Sequence, residues 1–237
     1  RACDAAWGMR TALRELGRPE TSVGPVTLKM HVGIHADTFD FFLVGESHRE
    51  LLLTGPGVTR AVEMEAGAEA GEILVSEETA ATLPERILGD EKEGGLLLKA
   101  PPGAVRWIEL LPSAEGLDLA ACVPRPVRRH VESGRAEPEH CQAAVAFVHL
   151  GGVDELLETS GPDELAGTLQ ALVTGAQQVA DEHGVTFLET DIDRDGGKIV
   201  LVAGAPQTEG EDEERILRTA RGIADLETPL SLRLGVS

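Results

Sequence analysis

The sequence predicts a mixed α/β (α+β) fold in two parts joined by a linker. Three observations carry this. Apolar residues switch repeatedly between helical and strand spacing along the chain. A stretch at 111–140, rich in proline and arginine, breaks that pattern. LKMHVGIH at 28–35 is echoed by LSLRLGVS at 230–237, which places the start and end of the chain in equivalent units. The expected divisions are 1–110, a linker at 111–140, and 141–237.

Helical spacing comes first, with Ala5, Ala6, Met9, Ala12, Leu13 and Leu16 on one face, ended by Gly17 and Pro19. Leu28 to His35 alternates as a strand. Phe41 to Val44 and Glu50 to Thr54 form a strand pair or hairpin around Gly45-Glu46-Ser47-His48. Gly55-Pro56-Gly57 then opens a helix carrying Val58, Ala61, Val62 and Glu65, and Ala70-Gly71 turns into the strand Ile73-Leu74-Val75. A closing hairpin is expected from Leu96-Leu97-Leu98 to Val105–Leu110 through Pro101-Pro102-Gly103. In the linker, Arg125, Arg128 and Arg129 suggest a short solvated or surface-docked helix around 126–133.

Beyond the linker, Ala143 to Leu150 is a continuous apolar run suited to a buried central strand. Ser160-Gly161-Pro162-Asp163 reads as a helix start with a capping-box acid. Leu165, Leu169, Leu172, Val173, Ala176, Val179 and Ala180 make its apolar stripe, which stops at Gly184. Val185 to Thr190 and Lys198 to Ala203 are strands joined by DIDRDGG. A last helix carries Ile216, Leu217, Ala220, Ile223 and Ala224, before a final strand at Leu230–Val236.

Composition bounds the function. At 237 residues the chain can hold one large domain or two smaller ones. Only 3% of it is aromatic, so aliphatic side chains must fill the core. A net charge of −20 argues against a nucleic-acid partner, though a single nucleotide needs only a local positive patch. Cys3, Cys122 and Cys141 are odd in number and lack C-x-x-C spacing, which points to a reducing cytoplasm rather than to disulfides or zinc. No apolar run approaches the roughly 20 residues of a membrane helix, and no membrane partner is expected. The chain starts at Arg1 with no secretory signal, which suggests a fragment.

The stretch LLLTGPGVTRAVEMEAGAEAGEILVSEETAATL, 51–83, closely resembles the fifth strand, fourth helix and sixth strand of class III nucleotidyl cyclases. GEILVSEET and GGKIVLVAGAP are the most specific matches, and LAACVPRPVRR is worded like the joint between the paired domains of soluble bacterial cyclases. The resemblance covers nearly the whole chain. It implies the C-terminal half of a first cyclase domain followed by the N-terminal half of a second, each with a ferredoxin-like antiparallel sheet and helices. It also implies sites at the interface of two such domains, cyclising ATP to cyclic AMP and pyrophosphate with two Mg (or Mn) ions and an arginine.

By that resemblance, His149 stands where the first metal-binding aspartate belongs and Gly197 where the second does, with Asp195 two residues away. Neutral imidazole is a poor Mg²⁺ ligand. Pro56 takes the base-recognising position, Thr59 that of the transition-state asparagine and Glu63 that of the transition-state arginine. Glu63 puts negative charge where phosphate charge develops, and it replaces the arginine that binds bicarbonate in some soluble tandem cyclases. The expected reading is a degenerate, non-catalytic interface site. The parent would be an adenylate cyclase acting in signal transduction, and this chain alone would be inactive and hold no cofactor. Its expected partners are complementary cyclase half-domains or a second copy, with ATP or a small regulator as ligand. The alternative is a pseudo-cyclase sensor or dimerisation scaffold.

Other features read more plainly. Asp191, Asp193, Asp195 and Gly196 copy the start of a calcium loop, but Val202 fills the twelfth position, so an acidic turn is expected. Gly196-Gly197-Lys198 lacks the other residues of a phosphate loop, although Lys198 could contact an anion or regulator. His31, His35 and His48 show no third metal ligand.

Overall fold

The computed structural model describes residues 1–103, 116, 118–134, 142–208 and 210–237. In chain order the elements are α1 (Ala2–Leu16), β1 (Glu20–Thr21), β2 (Gly24–Pro25), β3 (Val32–Ile34), β4 (Asp40–Val44), β5 (Glu50–Thr54), α2 (Pro56–Gly67), β6 (Ile73–Ser76), α3 (Glu77–Ala80), β7 (Leu88–Lys92) and β8 (Gly95–Leu98). There follow α4 (Arg125–Glu132), β9 (Ala144–Gly151), α5 (Val153–Ser160), α6 (Pro162–Glu182), β10 (Thr186–Asp193), β11 (Gly196–Ala203), α7 (Asp212–Ala224) and β12 (Ser231–Val236). They fall into two compact units: Arg1–Thr38 with Gly57–Ser113, and Phe39–Pro56 with Ala114–Ser237. None of the helices among the described residues is long and apolar enough to cross a membrane.

The first unit is built on a four-stranded sheet of order β3-β6-β8-β7, with β3 parallel to β6 and the other pairs antiparallel. Ile73, Leu74 and Val75 are fully buried in β6, its central strand. Ser76 ends that strand and caps α3 by accepting from the Thr79 amide at 3.3 Å. Of the apolar face expected on α1, Ala6 is buried together with Cys3, while Met9 and Leu16 are exposed. The expected hairpin from 96–98 onward takes a different form. β8 pairs back to β7 across Glu93-Gly94, both in the left-handed region, and Val105–Leu110 lie outside the described residues. The strand expected over 28–35 is confined to Val32–Ile34.

In the second unit the order β9-α5-α6-β10-β11-α7-β12 gives an antiparallel sheet of order β10-β11-β9-β12. Two split β-α-β crossovers around a central first strand make this ferredoxin-like, as the sequence implied. Central β9 is apolar toward the helices, with Ala146, Val148 and Leu150 buried. The predicted stripe of α6 seats there, with Leu165, Leu169, Leu172, Val173, Ala176 and Ala180 in the core. On α7 the buried face is Ile216, Ala220 and Ile223, while Leu217 and Ala224 face solvent, because the stripe is narrower than the run of apolar residues. α6 starts with Gly161 at its N-cap and no side-chain cap, so the expected capping box does not form.

The hairpin β4–β5 joins this second unit. Phe42, Val44 and Leu52 face its core, packed with α6 and β10. The other face of the hairpin carries Phe41 opposite Leu53 and Leu43 opposite Leu51, and Phe41, Leu43 and Leu51 are exposed. The turn between the strands is held by Gln177, itself 1% exposed. Its Oε1 accepts from the Glu46 and Ser47 amides at 2.8 and 3.0 Å, and its Nε2 donates to the His48 carbonyl at 2.9 Å. Gly45 donates to Gln170 Oε1 at 3.0 Å. Glu50 accepts from the amide and hydroxyl of Thr190 at 3.0 and 2.9 Å and lies 2.8 Å from His48 Nε2.

Candidate functional site

Strand register gathers the second unit's candidate residues on one sheet face. Asp191 pairs with Lys198, Lys198 with His149, and His149 with Arg233, one rung across all four strands. Directly paired residues share a face, so these four side chains leave the sheet together, away from the buried Val148, Leu150 and Ile199. Lys198 Nζ lies 2.9 Å from Asp191 Oδ2. This hydrogen-bonded pair, with Asp193 and Glu189 nearby, raises the Lys198 pKa above its usual value against partial desolvation. The ammonium therefore stays charged throughout the physiological range. His149 Nε2 sits 3.6 Å from Asp193 Oδ2 and its Nδ1 3.0 Å from the Leu150 carbonyl, an arrangement in which Nδ1–H donates.

Gly197 lies on the adjacent rung, opposite Leu150 and Ile192. Asp195, the acid nearest to it in sequence, has a structural task. In the left-handed turn between β10 and β11, it accepts from the Gly152 amide at 2.8 Å through Oδ2 and from the Asp154 amide at 3.2 Å through Oδ1. It thereby tethers the start of α5, where free amides and the helix dipole favour a carboxylate. Gly196 beside it has no room for a side chain: a Cβ would stand 2.2 Å from the Leu150 carbonyl oxygen.

Pro56 is the first residue of α2, exposed, where its missing N–H costs the helix nothing. Thr59 and Glu63 follow on the first unit's part of that helix, one turn apart and half-buried. Arg60 lies beside Glu63 at 3.4 Å, donates to the Gly94 carbonyl at 2.6 Å, and approaches Glu78 at 3.7 Å. The nearby guanidinium is thus committed to three acceptors on its own unit. Sequence reasoning missed this compensation of Glu63, for which Arg60, one turn before it, was a readable signal. It also missed Gln177, detectable as a polar residue inside the stripe of α6.

Residues 3–108, under half of the chain, match the sequence model of the adenylate and guanylate cyclase catalytic domain. No curated protein matches the chain. Among solved structures it is similar to the dimeric guanylyl cyclase domain of the RhoGC fusion protein from the aquatic fungus Blastocladiella emersonii, at 20% identity over 40% of this chain and 54% of that one, TM-score 0.33. Similar too are the guanylate cyclase domain of RhGC from Catenaria anguillulae in complex with GTP (19%, 40% and 54%, TM-score 0.33) and the adenylyl cyclase CyaB from P. aeruginosa (19%, 41% and 57%, TM-score 0.31). The chain spans little more than half the length of these domains.

Proposed function

We propose, from the match of residues 3–108 to the adenylate and guanylate cyclase catalytic-domain model, that the chain is part of a cytoplasmic class III adenylate cyclase whose site positions here are catalytically silent. It would hold the second half of one cyclase domain and the first half of the next, serving the parent in signal transduction through pairing with complementary half-domains.

The observation that carries the half-domain reading is the repeated strand. β12 ends its sheet beside β9, and β3 ends the other sheet beside β6. Overlaying the two copies joins the sheets into one, β10-β11-β9-β12/β3-β6-β8-β7. The helices before the two copies agree with this. α7 buries its apolar face against β9, β11 and β12, while α1, with no counterpart of β9 and β11 among the described residues of its unit, leaves Met9 and Leu16 exposed.

The silence of the site is supported by charge. A hard divalent ion needs several free carboxylate oxygens. Around His149 the ammonium of Lys198 already pairs with Asp191 and lies near Asp193, and Asp195 is engaged with backbone amides. Among the described residues no three His, Cys, Asp or Glu side chains converge as a metal cage would. These residues do not fit a Mg²⁺ or Mn²⁺ pair. On α2, Pro56 and Glu63 offer neither a side-chain donor for a base nor positive charge for a phosphate.

The test is a cyclase assay on the whole chain with ATP or GTP and Mg²⁺ or Mn²⁺. Cyclic nucleotide formation at background is the expected result, and turnover above background overturns the assignment. A second measurement addresses the cause. The double substitution His149→Asp, Lys198→Met adds a carboxylate and removes the internal cation. Mn²⁺ affinity, read by calorimetry, is expected to rise at least about tenfold over the unsubstituted chain, roughly 1.4 kcal/mol. Unchanged affinity would mean that Lys198 is not what keeps the metal out.

A further inference from the structure

The linker helix forms one wall of a cleft that the cyclase reading leaves without a role. This cleft, about 610 Å³, lies within the second unit. Arg125, Arg129, His130 and Ser133 of the α4 region line one side, and Asp181, Val185 and Pro206 lie across from them. We propose that it binds the phosphate group of a nucleotide-sized ligand.

The argument is electrostatic first. The chain carries a net charge of −20, yet two arginines and a histidine converge here against one acid. Arg125 and Arg129 are one helical turn apart, an arrangement of like charges that disfavours the helix unless an anion offsets it. Asp181 does so only in part. It lies 3.8 Å from Arg125, and its Oδ2 also accepts from the Ser47 hydroxyl at 2.8 Å. Among the described residues the exposed guanidinium of Arg129 has no hydrogen bond or ion pair, and the buried Nδ1 of His130 has no hydrogen-bond partner. Buried polar atoms are normally paired, and an unsatisfied imidazole nitrogen in a residue lining the cleft, beside an exposed guanidinium with no protein acceptor, calls for a ligand rich in acceptor oxygens.

Size and lining narrow the class. The volume falls in the range of small-molecule sites and is generous for a bare inorganic ion. Val185 and Pro206 supply an apolar wall for a sugar or base beside the cationic wall. Planar guanidinium groups bind phosphate oxygens in pairs, which a lysine cannot reproduce. This cleft does not involve His149, Lys198 or α2, so the inference stands or falls apart from the cyclase assay.

The experiment is calorimetric titration of the whole chain with pyrophosphate and, separately, with AMP. Saturable binding is expected, tighter for AMP if the apolar wall is used and equal or tighter for pyrophosphate if the natural ligand is an inorganic anion; either outcome supports a phosphate site. Arg129→Gln should weaken binding at least about tenfold, with Arg129→Lys in between. Glu132→Gln, on the same helix but not lining the cleft, should change neither binding nor unfolding midpoint. Both arginine variants are on the surface, and thermal unfolding will confirm that they fold. Failure of both probes to saturate by about 10 mM, or wild-type binding by Arg129→Gln, would overturn the proposal.

Discussion

Replacing Gln177 with leucine is expected to lower the stability of the second unit by about 3–5 kcal/mol, although the two side chains are similar in size. The cost comes from what is left behind rather than from lost packing. Leucine strands the Glu46 and Ser47 amides and the His48 carbonyl, all bonded to Gln177 in the native chain. Each unpaired buried group costs about 1–3 kcal/mol, less what water recovers as the turn loosens. Gln170→Ala removes a single bond, from the Gly45 amide, and should cost only about 1 kcal/mol. Urea unfolding followed by circular dichroism measures both. Hydrogen exchange should show the amides of Glu46 and Ser47 losing protection first. A Gln177→Leu chain within about 1 kcal/mol of the native one would show that the turn does not depend on this amide.

Gly33→Ala should be nearly as damaging, and its repeat counterpart Gly235→Ala should not. β3 lies so close to α2 that a Cβ on Gly33 would stand 2.1 Å from the Glu65 amide nitrogen and 2.6 Å from the Ala61 carbonyl oxygen. Both are helix backbone atoms, which cannot rotate away, so strand and helix must separate. Such overpacking costs about 1–3 kcal/mol, with the upper end expected where backbone meets backbone. At Gly235 a Cβ meets nothing within 4 Å, and the change is expected within about 0.5 kcal/mol of neutral. Trp7 packs against the first unit's core and the sequence has no tryptophan after Trp107, so the fluorescence of Trp7 follows Gly33→Ala. Equal effects of the two substitutions would remove this argument for the half-domain reading. The contrast itself fits that reading, since a helix placed as α2 is against Gly33 would find open space at Gly235.

Much of this protein is written locally. The stripe of α6, the apolar run of β9 and the glycine turn before α2 were legible because periodicity and turn chemistry depend on neighbours in sequence. The repeat at Gly33 and Gly235 was equally plain, and it shows where each sheet ends. The cyclase resemblance of the front half is carried by such local wording, which is why residues 3–108 match that family.

Tertiary structure alone decided three things. Alternation showed that β4 and β5 have an apolar face, but any apolar surface would satisfy it. The choice of the second unit is made by Gln177 and Thr190, more than 120 residues away from the hairpin groups they bind. Charge pairing at the candidate site was also hidden. Lys198 reads as a free cation in sequence, and only the register of β10, β11 and β9 sets it beside Asp191 and opposite His149. Likewise, the arginines of the linker read as solvated until α4 docked along β10 and turned Arg129 into a cleft wall. In each case the sequence determined which groups are present. Long-range register and hydrogen bonding, which leave no periodic trace, decided what those groups face.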